Sequence, residues 1–327
     1  MLEIFRRYIK TNKQKNATYY FHLGCRLEEN EKWEESAQAF IKATNLDSSI
    51  PSWHYHLACV YQELNKWEEA SQALTDAISL DSSNSLWHYQ LGCANQELSR
   101  WKEASESFRK ALEIKNSNAL WYFQFGYALQ RCKFFDDSII ALSKAIKLDN
   151  SNEIWHYELG VSFESKERWE DANNSYIKAI KLDSKEGLWH YRLAYTFQKL
   201  GQWERANNSY INAIKLDSKK ELWHYRLAYT FQKLEQWESA NKSYINAIKL
   251  DSKKGLWHYR LAYTFQKLEQ WESANNSYVN AIKLDSKKGL WHYRLGYTFQ
   301  KSRLWNEAII SYEKAIKIDK SKGLWHY

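Results

Sequence analysis

Residues 187–220 read GLWHYRLAYTFQKLGQWERANNSYINAIKLDSKK, and residues 221–254 repeat them as ELWHYRLAYTFQKLEQWESANKSYINAIKLDSKK, with four differences. Within 187–220, Trp189, Leu193, Phe197 and Leu200 are spaced four, four and three residues apart, one face of a helix of period 3.6. After a short Gly201–Gln202 turn, Trp203, Ala206, Tyr210, Ala213 and Ile214 mark a second helix with the same periodicity. Leu216–Lys220 closes the unit, with Lys219 and Lys220 where a helix C-terminus favours cations. The unit is therefore predicted to be a helix–turn–helix that cannot bury its own apolar faces and must stack on copies of itself.

Working outward, the same spacing runs through nearly the whole 327-residue chain. Nine tryptophans recur at one constant interval, from Trp53 and Trp87 through to Trp325, and the other eight form a second column at a fixed offset, from Trp33 to Trp305. Phe135 fills the one gap in the second column, and Tyr19 begins the first. The period defines nine units, 17–50, 51–84, 85–118, 119–152, 153–186, 187–220, 221–254, 255–288 and 289–322. They are preceded by a basic segment, 1–16, expected to be a cap helix, and followed by 323–327, which begins a tenth unit and stops. A buried tryptophan hides roughly 150–250 Å², about 4–6 kcal/mol at ~25 cal/mol per Å² before entropy is counted. Both columns are expected to be buried between units.

Composition agrees. One proline and ten glycines leave little turn chemistry for a sheet fold. No apolar run approaches the roughly 18 residues of a membrane span, and residues 1–16 lack the apolar core of a signal peptide, so a cytoplasmic location is expected. Cys25, Cys59 and Cys93 are one inherited position, repeated once per unit. Stacked helices about 10 Å apart keep such residues beyond disulfide or metal-sharing distance. No phosphate loop, Cys-x-x-Cys or His-Glu-x-x-His motif is present. His54, His88, His156, His190, His224, His258, His292 and His326 recur once per unit beside tryptophan, which suits packing rather than catalysis. Asp47, Asp81, Asp149, Asp183, Asp217, Asp251, Asp285 and Asp319 read as turn residues. No catalytic residue, metal or cofactor is expected.

The units resemble the tetratricopeptide repeat family. Its Leu–Gly/Ala pair stands at Leu23-Gly24, Leu57-Ala58, Leu91-Gly92, Leu159-Gly160, Leu193-Ala194 and Leu295-Gly296. Its next aromatic is Tyr61, Phe163, Phe197, Phe231, Phe265 and Phe299, and its late alanine runs from Ala43 to Ala315. Ala172 with Tyr176, Ala206 with Tyr210 and Ala308 with Tyr312 carry its second-helix pair. Two features depart: histidine replaces the aromatic before the leucine, and Ser or Asn (Ser48, Ser82, Asn116, Asn150, Ser184, Ser218) replaces the closing proline, which suggests a softer corner. The resemblance implies an all-α, right-handed superhelical solenoid of antiparallel helix pairs. It also implies a non-catalytic scaffold whose first helices line a concave groove for a protein or peptide.

About 180–300° round the first helix from Trp189, opposite the packed face, lie Tyr191, Arg192, Tyr195, Gln198 and Lys199. The same set returns as Tyr225, Arg226, Tyr229, Gln232 and Lys233, as Tyr259, Arg260, Tyr263, Gln266 and Lys267, and as Tyr293, Arg294, Tyr297, Gln300 and Lys301. These residues are the candidate ligand groove. Residues 17–186 hold 18 Lys/Arg against 26 Asp/Glu, whereas 187–322 hold 24 against 12. Aromatic rings among cations on a basic segment suit an acidic polymer as well as a peptide. The alternative reading is therefore an anionic-polymer-binding arm of a larger bacterial glycosyltransferase or capsule polysaccharide-synthesising enzyme, whose catalytic part lies beyond residue 327. An uncapped last unit would also allow self-association.

Overall fold

A computed structural model of the protein describes residues 2–319, with side chains from Lys15 onward; the stub at 323–327 lies outside the described residues. The described chain is all α-helix and turn, in two compact units, 1–166 and 167–327. The first unit contains α1 (Leu2–Glu29), α2 (Trp33–Leu46), α3 (Pro51–Glu63), α4 (Trp67–Leu80), α5 (Ser85–Glu97), α6 (Trp101–Ile114), α7 (Ala119–Arg131), α8 (Phe135–Leu148) and α9 (Glu153–Ser165). The second contains α10 (Trp169–Leu182), α11 (Gly187–Lys199), α12 (Trp203–Leu216), α13 (Glu221–Lys233), α14 (Trp237–Leu250), α15 (Gly255–Lys267), α16 (Trp271–Leu284), α17 (Gly289–Lys301) and α18 (Trp305–Ile318). Helix α1 is unbroken, so residues 2–16 extend the first helix of the 17–50 repeat.

Each helix pair is closed by a tight turn whose middle residue takes a left-handed backbone. Gly201 occupies it once, at φ +71°; elsewhere it is a residue with a side chain, such as Asn65, Glu235 or Glu269, at φ between 55° and 58°. Glycine alone takes that conformation without steric cost. Within pairs, the small residue of the first helix lets the second come close: a methyl group added at Gly92 would stand 2.5 Å from the Phe108 ring.

Between repeats, the first tryptophan column is the core. Trp53, Trp87, Trp121, Trp155, Trp189, Trp223, Trp257 and Trp291 are all buried. On Trp53, Trp87, Trp121, Trp155, Trp223, Trp257 and Trp291 a first-helix aromatic of the preceding repeat is stacked. The second column differs from expectation. Trp33, Trp67, Trp101, Trp169, Trp203, Trp237 and Trp271 open second helices and stay half-exposed, and Trp305 is exposed. Placed at the first helical position, the indole reaches along the next first helix instead of into the interior.

Polar groups also pair across the repeats. In the second unit, the buried hydroxyls of Thr196, Thr230 and Thr264 donate to the side-chain oxygens of Asn173, Asn207 and Asn241 of the preceding second helix. The first unit uses other pairs: Ser71 with Asn95 at 3.2 Å, Ser138 with Ser162 at 3.0 Å and Gln130 with Ser162 at 2.9 Å.

The periodic histidines hold the corners. The Nε2 atoms of His54, His88, His156, His190, His224, His258 and His292 lie 3.0–3.3 Å from the backbone carbonyl six residues earlier. That carbonyl belongs to Ser48, Ser82, Asn150, Ser184, Ser218, Ser252 and Ser286, where the family carries proline. The two departures noted in sequence are one device: the imidazole fixes a corner that lacks proline's rigid φ.

Candidate functional site

The twenty candidate groove residues lie on α11, α13, α15 and α17, one five-residue set per helix. They are not a free face opposite the core. From α11 to α15, each of these first helices is followed by another whose tryptophan packs on it, so the side away from its own partner meets the next repeat. Of the five positions, the tyrosines, arginine and glutamine are half-buried, and only the lysine is exposed, in α11, α13 and α15 alike.

The first tyrosine of each set is a packing residue. Tyr191, Tyr225 and Tyr259 stack on Trp223, Trp257 and Trp291, with ring centroids 5.4–5.5 Å apart. They also tilt against Tyr210, Tyr244 and Tyr278 of their own second helices, as Tyr293 does against Tyr312. The glutamine is a latch. Gln198, Gln232, Gln266 and Gln300 each accept a hydrogen bond from that second-helix tyrosine hydroxyl at 2.9–3.0 Å. Burial pushes the pKa of the Tyr244 and Tyr278 phenols far above its ordinary value, so these donors stay protonated.

The second tyrosine, the arginine and the lysine form a continuous aromatic–cation row. Tyr195, Tyr229, Tyr263 and Tyr297 stand edge-on to Trp169, Trp203, Trp237 and Trp271 at 6.3–6.5 Å. The guanidinium groups of Arg226, Arg260 and Arg294 reach back over Tyr195, Tyr229 and Tyr263 at 5.3–5.7 Å. Lys199, Lys233 and Lys267 lie over both the preceding tryptophan and their own tyrosine, at 5.4–5.9 Å, and Lys301 lies 5.6 Å from Tyr297. Such contacts are worth about 0.5–1 kcal/mol each at exposed sites. The Nε atoms of Arg226, Arg260 and Arg294 are buried without a hydrogen-bond partner. Among the described residues, these three arginines and four lysines meet rings and no carboxylate. Of the four helices that carry the row, only α13 holds an acidic residue, Glu221 at its start.

Sequence reasoning missed two members of this arrangement. The half-exposed second-column tryptophans belong to the row, and their spacing alone could not separate them from the buried column. In the first unit, Arg131 lies 4.9 Å over Trp101, which stands edge-on to Tyr127 at 5.9 Å. This is the same motif outside the candidate set, legible once Tyr127 and Arg131 are aligned with Val161 and Ser165 of the next repeat. In the three repeats before it the equivalent of the tyrosine is Cys25, Cys59 or Cys93, half-buried residues whose thiol pKa is pushed up, chiefly by burial. Among the described residues, no group of three or more His, Cys, Asp or Glu is arranged to hold a metal ion, and no helix is long and apolar enough to cross a membrane.

Comparison with known proteins supports the fold. Two family models described as tetratricopeptide repeat match residues 55–119 and 292–322. No curated protein sequence matches the chain. Among solved structures, the C-terminal part of a TPR repeat-containing protein from Cytophaga hutchinsonii has 18% identity, covering 71% of this chain and 95% of its own, with a TM-score of 0.60. YrrB, described as a TPR protein with an unusual peptide-binding site, has 21% identity, covering 57% of this chain and 96% of its own, with a TM-score of 0.53. MamA has 20% identity, covering 52% of this chain and 93% of its own, with a TM-score of 0.50. At these identities the likeness is one of fold. Matched family models, tandem helix pairs closed by tight turns and these neighbours together identify the chain as an array of tetratricopeptide repeats.

Proposed function

We propose that the protein is a non-catalytic interaction scaffold whose second unit holds an acidic segment of a protein or peptide partner along the first-helix row. One observation carries this reading: seven cations from four successive first helices are fixed over aromatic rings and offset by no carboxylate. Ring contacts orient them without neutralising them, so the row keeps a positive potential that an acidic chain would relieve. YrrB is itself described as peptide-binding, which fits an array of this fold used in this way.

The test is fluorescence anisotropy of a labelled oligoglutamate peptide with the full chain. Tight binding that weakens with salt is expected, and the Lys199→Glu, Lys233→Glu, Lys267→Glu, Lys301→Glu variant should lose it. Lys215→Glu, Lys249→Glu, Lys283→Glu, a charge change of similar size away from the row, should keep it. Binding that both variants keep, or no binding by a folded wild type, overturns the assignment.

A second reading is favoured by one feature. Residues 187–288 present the same five-residue set three times, which suits a ligand that itself repeats, such as the anionic polymer of a capsule-type synthetic enzyme for which this array would be an arm. Against it, the tyrosine faces are engaged within the protein and offer little stacking surface to sugar rings. Heparin and hyaluronan in the same assay separate the two: binding of polysaccharide without binding of oligoglutamate would favour the polymer.

A further inference from the structure

Three equivalent clefts in the first unit lie between consecutive second helices, with a first helix as floor. Their volumes are similar, about 350 Å³ between α2 and α4, 430 Å³ between α4 and α6 and 360 Å³ between α6 and α8. Their chemistry differs. At the mouth, the equivalent position of successive repeats holds Gln72, Glu106 and then Ile140, and Ile140 is 57% exposed. On the floor, His88 and Asn95 of the middle cleft become Tyr122 and Leu129 in the third, beside Phe125. These three changes give the α6–α8 cleft an apolar floor and an exposed isoleucine at its mouth, within a rim that keeps Glu106, Arg109, Asp137 and Lys144. Standing at the mouth of that cleft, the isoleucine extends the apolar floor to an accessible surface.

The rim supplies the charge. Arg109 is bonded to Glu113 at 2.6 Å and Lys144 lies over the Tyr122 ring at 5.4 Å, whereas Glu106 and Asp137 have no ion pair among the described residues. The cleft thus asks for an aliphatic side chain flanked by cations. This chain displays such groups. Leu182, Leu216, Leu250 and Leu284 end second helices of the second unit, are 45–47% exposed, and each follows an exposed lysine: Lys181, Lys215, Lys249 and Lys283. The geometry points to a second copy of this chain as the occupant, a lysine–leucine corner of its second unit seated in the α6–α8 cleft of the first unit. Charge favours the pairing, since residues 17–186 carry a net −8 and residues 187–322 a net +12. The contact is heterologous: each copy offers a different surface to each neighbour, so association continues unless it closes into a ring.

Sedimentation velocity of the full chain, from about 1 to 100 μM at low and high salt, tests this. Concentration-dependent oligomers that diminish with salt are expected. Ile140→Asp, at an exposed position, should weaken association at least tenfold with helicity unchanged, and so should the quadruple variant Lys181→Glu, Lys215→Glu, Lys249→Glu, Lys283→Glu. Mixing the two is decisive. Ile140→Asp keeps its corners and the quadruple variant keeps its cleft, so together they should form a 1:1 dimer that grows no further. A wild type monomeric throughout, an Ile140→Asp chain that associates like the wild type, or a mixture that stays monomeric overturns the assignment. Because the quadruple variant keeps the oligoglutamate row, loss of self-association and loss of acidic-peptide binding are read separately.

Discussion

The two units are built on one helix-pair plan, yet they join their repeats differently. In the second, Asn–Thr pairs, stacked tyrosine–tryptophan pairs and arginine–tyrosine contacts each recur with equivalent partners at three junctions, and at the last junction Asn275 donates instead to Ser302. In the first, the stacking recurs but the polar contact changes from Ser71–Asn95 to Ser138–Ser162, and the cation row shrinks to Arg131 over Trp101. The stacked aromatic on the first-column tryptophan is therefore the part of the junction that the fold requires. The polar pair and the cation row are exchangeable additions, and function can act on them without cost to the stack.

If the stack is the requirement, truncating it should be the largest effect. Trp223→Ala, in the buried column, should destabilise by about 3–5 kcal/mol, read from the urea midpoint of the full chain, and Trp203→Ala, half-exposed, by clearly less. Equal losses would erase the distinction between the columns. Next, the polar pair: Thr230→Val leaves the buried Asn207 oxygen without its donor and should cost about 1–3 kcal/mol, and adding Asn207→Leu should recover part of that loss. The double-mutant cycle measures the coupling.

A smaller effect concerns the turns. Glu235→Gly and Glu269→Gly relieve left-handed strain that Gly201 lacks and should each stabilise by about 0.5–1 kcal/mol, while Gly201→Glu should do the reverse. Differential scanning calorimetry resolves this. The smallest is a pH effect. His190 and His292 are held below the usual imidazole range, chiefly by burial, and for His292 also by Lys314. The unfolded chain then binds more protons than the folded one below about pH 6.5. Stability should therefore fall as pH drops through the unfolded value and level off below the folded one. Melting curves between pH 8 and pH 5 should show this fall, and it should diminish in His190→Asn.

Sequence periodicity carried the fold because the first tryptophan column cannot be buried except by stacking repeat on repeat. It did not carry the site, for a geometric reason. A helical wheel supposes one packed side, whereas a first helix in an array has a neighbour before it and another after it. Tyr191 and Tyr225, opposite the core on the wheel, thus turn out to be stacked, and Gln198 and Gln232 are latched to tyrosine hydroxyls. The cations were legible as charge. That their partners are rings and not carboxylates depends on which repeat each side chain reaches, and spacing within one unit does not contain that. The histidine corner was legible only in halves: the missing proline and the recurring histidine are six residues apart, and only the folded corner joins them.

The Asn–Thr pair also bears on how the length of such an array can change. Asn173, Asn207 and Asn241 each meet the threonine of the next repeat, at the same separation along the chain. If residues 221–254 were excised, Asn207 would meet Thr264 in the same register, and the tyrosine at 191 would find the tryptophan at 257 where 223 had been. Recombination between near-identical segments would thus add or remove whole repeats with every seam re-formed, making copy number, and with it the reach of the cationic row, a quantity that heredity can adjust in single steps.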